Sequence, residues 1–126
     1  MIRAKKKFVV GAGELDQYGH LNCEALKRVL RPSQDALLAS RGMTFSAACG
    51  PGKFIKRLSI IWLAQLKKGD KCLVVTSLTL GKTDIVFEQR LTRKGSLAVS
   101  YITVLTMVGN GRKVPIPMEV KRRLST

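Results

Sequence analysis

The sequence predicts an α+β fold in which an antiparallel sheet wraps around one long helix. Three observations carry this. Apolar residues recur at helical spacing over one substantial stretch, 22–42. From Lys53 onward the pattern changes to β-prone segments separated by short turns rich in Gly, Asp and Lys; consecutive strands joined by short turns run antiparallel. A helix with one apolar face has to bury it, and the sheet is the partner available.

The elements follow in order. Phe8-Val9-Val10 marks a first strand over 4–10, ended by Gly11 and Gly13. Asn22 suits a helix N-cap, with Glu24 in the first turn complementing the dipole. Leu26, Val29, Leu30, Leu37 and Leu38 then form one apolar face. Pro32 interrupts this run, which predicts a kink or two short helices, the second capped by Ser33. Gly42 stops the helix, and 43–52, with Gly50-Pro51-Gly52, reads as a loop. Leu58, Ile60, Trp62, Ala64 and Leu66 alternate, with Ile61 and Leu63 on the other face, so this strand is expected to be partly covered on both sides. Further strands are expected over 72–80, 85–92 and 97–108, the last two joined by a tight hairpin at Arg93-Lys94-Gly95-Ser96. The edge after Phe87 is expected to be long and exposed. Val114-Pro115-Ile116-Pro117 is extended, and a short helix over 118–124 ends the chain.

At 126 residues and 45% apolar, the chain is expected to form one domain, 1–126, with a real core. No apolar run is long enough to span a bilayer, and the stretch after the basic N-terminus is too short for a signal peptide, so a cytoplasmic location is expected. Cys23, Cys49 and Cys72 are far apart with no CxxC pair, which argues for reduced thiols and against a metal site. The net charge of +15 attracts polyanions: nucleic acid, an acidic protein, or a phosphorylated small molecule such as coenzyme A. The basic residues come in small groups rather than a tail.

The chemistry concentrates in residues 13–22, which hold Glu14, Asp16, the only histidine, His20, and Asn22, and lead straight into the helix. A carboxylate can attack an acyl carbon or activate water. The N–H groups at a helix start suit an oxygen turning negative. Taken alone, Asp16 reads as a loop cap making an Asx-turn, and His20 as a residue that positions the loop.

The stretch Glu14-Leu15-Asp16-Gln17-Tyr18-Gly19-His20-Leu21-Asn22 resembles the D-x-D-x-x-G-H-[VL]-N opening motif of hot-dog fold acyl-CoA thioesterases of the 4-hydroxybenzoyl-CoA thioesterase type. The segment WLAQLKKGDKCLV, the hairpin from Phe87 to Val108 and the final VPIP fit the same family, so the resemblance covers nearly the whole chain. It implies a hot-dog fold and hydrolysis of a thioester on coenzyme A or acyl carrier protein. The coenzyme is part of the substrate, and no other cofactor or metal is implied. It places the catalytic carboxylate, as nucleophile or general base, on Asp16, with His20 positioning the loop or polarising substrate. The carbonyl-polarising amides fall near Asn22 and Cys23, and Gly19 and Glu14 support the loop. Cys23 itself is expected to be a small packed side chain. A homodimer or homotetramer with sites at the subunit interface is also implied. The chain departs from the pattern at Leu26, where many relatives carry an aromatic residue, and at Pro32, where many have an unbroken acidic stretch in the middle of the helix.

Lys56, Arg57, Arg90, Arg93 and Lys94 are candidates for holding coenzyme A phosphates. Three other readings compete. One is a non-catalytic acyl-CoA-binding protein. Another is a hot-dog hydratase or dehydratase, disfavoured because those enzymes space Asp and His by four intervening residues and here there are three. The last is a nucleic-acid binder, disfavoured because no recognition helix or aromatic platform is evident.

Overall fold

The computed structural model describes residues 1–48 and 53–125. In chain order it has β1 (Ile2–Val9), a 3-10 turn (Ala12–Glu14), α1 (Cys23–Ala39), α2 (Phe45–Ala48), β2 (Lys53–Trp62), β3 (Lys71–Leu80), β4 (Asp84–Arg93), β5 (Ser96–Gly109), β6 (Arg112–Lys113) and α3 (Met118–Leu124). The strands make one antiparallel sheet ordered β1-β3-β4-β5-β2, with β6 pairing with the end of β5. One sheet face is buried against α1, as the expected α+β architecture requires.

Helix α1 runs unbroken from Cys23 to Ala39, so of the kink or two short helices expected at Pro32, the two helices do not occur. Pro32 lies inside it, and Ser33 is an interior residue rather than a cap. An interior proline costs about 3 kcal/mol. Leu26, Leu30, Leu37 and Leu38 flank it on the sheet side and are almost fully buried. Each stabilises the helix by about 1.5–3 kcal/mol, so packing outweighs the proline. Ser33 Oγ is buried without a hydrogen-bond partner. The helix ends as expected at Gly42, at φ +70°. The Met43 N–H donates to the Leu38 carbonyl and the Gly42 N–H to the Ala39 carbonyl, both at 3.0 Å, a paired C-terminal closure that a left-handed glycine permits.

The sheet departs from the sequence reading in its connections. β2 and β3 do not form a hairpin: β2 is an edge strand beside β5, and the chain crosses to place β3 next to β1. Consequently β4, which contains Phe87, is central, and the free edges are β1 and β2. β2 is not covered on both sides; Phe54, Ile55, Leu58 and Ile61 are exposed, and so is Leu63 just beyond it. Ala64 and Leu66, expected to continue the strand, belong to the crossover, where Leu66 is fully buried. β1 begins at Ile2 rather than residue 4 and presents exposed Lys5, Lys6 and Lys7. Within 43–52, Phe45–Ala48 is a short helix rather than loop; its ring edge meets Phe54, and Arg31 stacks on it at 4.3 Å. The expected Gly50-Pro51-Gly52 loop and Cys49 lie outside the described residues. The hairpin between β4 and β5 turns on Lys94 and Gly95, both at positive φ (52° and 79°), as a two-residue turn demands.

The core has two apolar clusters. One gathers Leu37, Leu38, Leu78, Ile85, Phe87 and Leu105; the other Leu26, Leu30, Val74, Leu91, Val99 and Tyr101. On four elements the crossing point between them is polar: Gln34 on α1, Thr76 on β3, Gln89 on β4 and Thr103 on β5, all buried. Burial of such groups demands hydrogen bonds, and they bond to one another. Gln34 Nε2 donates to Gln89 Oε1 at 2.9 Å and to Thr103 Oγ1 at 3.3 Å. Gln89 Nε2 donates to the Leu30 carbonyl at 3.0 Å and to Thr76 Oγ1 at 3.1 Å.

Candidate active site

The loop that feeds α1 is tied down along its length. The Gly69 N–H donates to the Val10 carbonyl and the Val10 N–H to the Asp70 carbonyl, so the crossover between β2 and β3 holds the loop's entry. Glu14 Oε1 accepts the Gly11 N–H at 3.1 Å, closing the 3-10 turn. Leu15 and Leu21 form a one-pair β-bridge, and buried Leu21 donates its N–H to the Leu66 carbonyl at 3.0 Å. Asp70, which anchors this crossover, accepts the Lys67 N–H and an Arg93 Nη1 hydrogen, each through Oδ2 (2.8 and 2.9 Å). Those two bonds, the backbone one foremost, hold its carboxyl below the usual carboxylate range.

Between the bridge residues the chain makes a tight turn around Asp16. Its Oδ1 accepts the Tyr18 N–H at 2.8 Å and the His20 N–H at 3.1 Å. The Asp16 N–H donates to the His20 carbonyl at 2.8 Å, and the Gly19 N–H donates to the Asp16 carbonyl at 3.0 Å. Gly19 stands at φ +75°, the left-handed conformation that closes this turn. Asp16 therefore does make an Asx-type cap, yet it does so with one oxygen; Oδ2 has no hydrogen-bond partner among the described residues. His20 positions the loop through its backbone, and its ring makes no hydrogen bond there.

Asn22 caps α1 as expected. Its backbone is extended (φ −101°, ψ 170°), and Oδ1 accepts the Ala25 N–H at 2.9 Å. The Leu26 N–H reaches the Asn22 carbonyl at 2.9 Å. The N–H groups of Cys23 and Glu24, in the first turn, have no acceptor among the described residues, as the geometry of a helix start dictates. The Cys23 side chain is exposed, not packed; the buried stripe starts two residues later, at Ala25.

Along the middle of α1, from Lys27 to Gln34, a cavity of about 470 Å³ opens between the helix and the β5–β2 side of the sheet. Exposed Lys27, Arg28, Arg31 and Lys56 line its mouth. Buried Tyr101, Gln34 and Thr103 line its interior. Burial, then the nearby Cys23 and Glu24, push the Tyr101 hydroxyl up, so it stays protonated at neutral pH.

The coenzyme A phosphate candidates do not form one cluster. Lys56 pairs with buried Leu105 in register and shares its face, whereas Arg57 pairs with Val104 on the opposite face, which also carries Arg90. Arg90 lies 3.9 Å from Glu88. Arg93 is bound to Asp70 and to the Gln65 carbonyl, a structural tie. Lys94 sits at the hairpin tip. The cavity brings Lys56 together instead with Lys27, Arg28 and Arg31. Gln34, Gln89, Tyr101 and Thr103 were missed in the sequence reading. Their signal was present: Gln34 interrupts the apolar stripe of α1, and Gln89 sits between Phe87 and Leu91 on the buried side of β4. Among the described residues, no three His, Cys, Asp or Glu side chains come together to hold a metal, and no helix is long and apolar enough to cross a membrane.

Solved structures share this architecture over almost the full chain. A hypothetical protein from Thermus thermophilus superposes with a TM-score of 0.74 at 23% identity, covering 96% of each chain. A 1,4-dihydroxy-2-naphthoyl-CoA thioesterase from Synechocystis gives 0.75 at 15% identity, covering 97% of this chain and 95% of that one. The chain has the hot-dog fold. A further hot-dog protein, a thioesterase described as predicted from Bacillus stearothermophilus, gives 0.73 at 16% identity over 98% and 94% of the two chains. No protein-family model matches the chain, and no curated protein does. In the hot-dog fold of this chain, α1 is the enclosed helix and the Asp16 turn sits at its entrance.

Proposed function

We propose that this chain is a thioesterase that hydrolyses an acyl thioester of coenzyme A or of an acyl carrier protein. One observation carries the reading: a carboxylate with a free oxygen, Asp16 Oδ2, stands on the short loop that opens directly into a helix start with two unpaired N–H groups. The helix start supplies donors and a positive dipole end for the thioester oxygen as it becomes negative. Asp16 then either attacks the carbonyl carbon or removes a proton from an attacking water. In the first route the thiolate leaves and the mixed anhydride is cleaved by water; in the second the thiolate leaves and takes up the proton. Asp16 Oδ1 keeps its two amides throughout, so the reactive oxygen is aimed by its partner. His20, with no partner for its ring, is available to the substrate. The Synechocystis likeness, a thioesterase for an acyl-CoA, supports the substrate class, and the cationic mouth supports a phosphorylated or acidic carrier.

The working unit of this reading is a homodimer paired along β2, the first step toward a dimer or tetramer. β2 has one unpaired side and, around Lys56 and Arg57, exposes Phe54, Ile55, Leu58 and Ile61; exposed apolar edge strands tend to pair. Catalysis is tested by incubating purified protein with a panel of acyl-CoAs and following free thiol. Turnover of any member above the uncatalysed rate is expected. Acyl-CoA binding without turnover overturns it in favour of a binding protein, the reading that the doubly bonded Oδ1 favours.

A further inference from the structure

A groove runs along the other side of α1, between the helix and strand β1. It has two lobes, of about 190 and 250 Å³, and Lys6, Pro32, Ser33 and Val74 line both. The register explains why it is open. On β1 the inward-facing positions are Ile2, Ala4, Lys6 and Phe8, which pair with the buried side of β3 at Leu78, Thr76, Val74 and Cys72. Ile2 is buried, but Ala4 is small and Lys6 is charged. Opposite them α1 presents Pro32, Ser33 and Ala36, all short side chains. Sheet and helix therefore do not close on each other at this point.

The polar groups lining the groove can all donate. Ser33 Oγ is buried with no partner. Thr76 is 1% exposed; its Oγ1 accepts from Gln89 Nε2 at 3.1 Å, and its own hydrogen has no acceptor among the described residues. Lys5 and Lys6 line the first lobe with these hydroxyls, and Lys6 and Arg28 line the second. None of the three cations has an ion pair among the described residues, and no carboxylate lines either lobe. Unpaired buried hydroxyls are costly and neighbouring cations repel; one anion relieves both. The second lobe adds an apolar wall of Phe8, Val29 and Val74.

We propose that this groove is a second ligand site, for a small carboxylate that carries a short apolar group. The carboxylate sits in the first lobe between Lys6, Ser33 and Thr76, and the apolar group lies against Phe8, Val29 and Val74 in the second. The Ser33 hydroxyl meets the ligand by a turn about χ1 between staggered rotamers. Each lobe has room for several heavy atoms, so an acid the size of hexanoate fills both. No residue of the loop 13–22 lines the groove, and the site stands whether or not the chain hydrolyses thioesters.

The test follows hexanoate binding to the isotope-labelled full chain through changes in its amide resonances. Physiological ionic strength screens the general field of a chain of net charge +15. Saturable binding in the low millimolar range is expected, with the largest changes at Lys6, Ser33 and Val74. Hexanamide, which lacks the charge, is expected to bind at least about tenfold more weakly, and so is inorganic phosphate, which lacks the apolar group. Lys6→Met is expected to weaken hexanoate at least about tenfold and Ser33→Ala at least about threefold. Lys113→Met, on β6, is expected to leave it within about twofold. No saturable binding up to about 20 mM, hexanamide or phosphate binding as tightly as hexanoate, equal losses in Lys6→Met and Lys113→Met, or changes confined to Tyr101 and Thr103 overturns the proposal. Lys6 is exposed and Ser33→Ala removes an unpaired hydroxyl, so both variants are expected to fold. If either does not, the ranking of the three ligands and the map of changes on the parent protein decide alone.

Discussion

Asp16→Asn separates the two tasks that Asp16 holds in this structure. The amide keeps an oxygen where Oδ1 stands, so the bonds from the Tyr18 and His20 N–H groups, 2.8 and 3.1 Å long, are retained. What is lost is the charge. A hydrogen bond to a charged group contributes about 1.5–3 kcal/mol and a neutral one about 0.5–1.5 kcal/mol. On a half-buried loop the two bonds together should weaken by about 1 kcal/mol. Against a typical folding stability of about 5–15 kcal/mol, the variant stays more than about 99% folded. Its rate should nonetheless fall at least about a hundredfold, roughly 2.7 kcal/mol of transition-state stabilisation, because an uncharged amide NH₂ takes the place of the free oxygen. Asp16→Ala removes both bonds as well and should lose about 2–4 kcal/mol of stability. Thermal unfolding and thiol release, measured on both variants, check the pair of numbers. An asparagine variant that hydrolyses within about threefold of the parent rate refutes Asp16 as the reacting group. A rate that falls only in step with the unfolded fraction refutes it as well, leaving Asp16 as a loop cap.

Other outcomes follow from the same geometry. Asn22→Ala deletes the cap on the Ala25 N–H and should cost about 0.5–2 kcal/mol in denaturant unfolding. Asp70 has a folded pKa below its ordinary value of about 3.9, so its stabilisation is present above that value and is lost as pH falls through the lowered one. The melting-temperature gap between parent and Asp70→Asn should therefore be full at pH 7 and close below about pH 4; a gap that widens in acid contradicts the assignment. Leu58→Lys with Ile61→Lys on the exposed strand β2 should shift sedimentation from dimer to monomer while leaving far-ultraviolet dichroism unchanged.

The helix, its cap at Asn22, its stop at Gly42 and the tight hairpin at Lys94-Gly95 were legible because each is a local signal. Strand order was not. The turn at Lys67-Lys68-Gly69-Asp70 reads as a hairpin, yet β3 pairs with β1, a partner more than sixty residues away in sequence. Nothing near residue 69 encodes that choice. The continuity of α1 through Pro32 was hidden for a related reason: the proline's cost is local and visible, whereas the leucine burial that outweighs it depends on a sheet the helix has not yet met. For the site, the loop from Glu14 to Asn22 was readable as a unit. The split role of Asp16's two oxygens was not, because it depends on which backbone amides the Gly19 turn delivers. The cavity wall of Gln34, Tyr101 and Thr103 required two elements far apart in sequence, α1 and β5, to come together.

The two free edges of the sheet are unlike. β1 carries lysines at three successive exposed positions, whereas β2 carries mostly apolar side chains, with Lys56 and Arg57 between them. Like charges meeting across a strand pair repel, so β1 discourages addition of another strand while β2 invites it. Two copies that join through β2 each use the one permissive edge they have. The combined sheet is then bounded at both ends by lysines, and growth stops by geometry and charge rather than by concentration. A chain with two permissive edges would instead extend head to tail into a fibre. In such a dimer the lysine run of β1 would limit further assembly from the side of the sheet remote from the β2 contact.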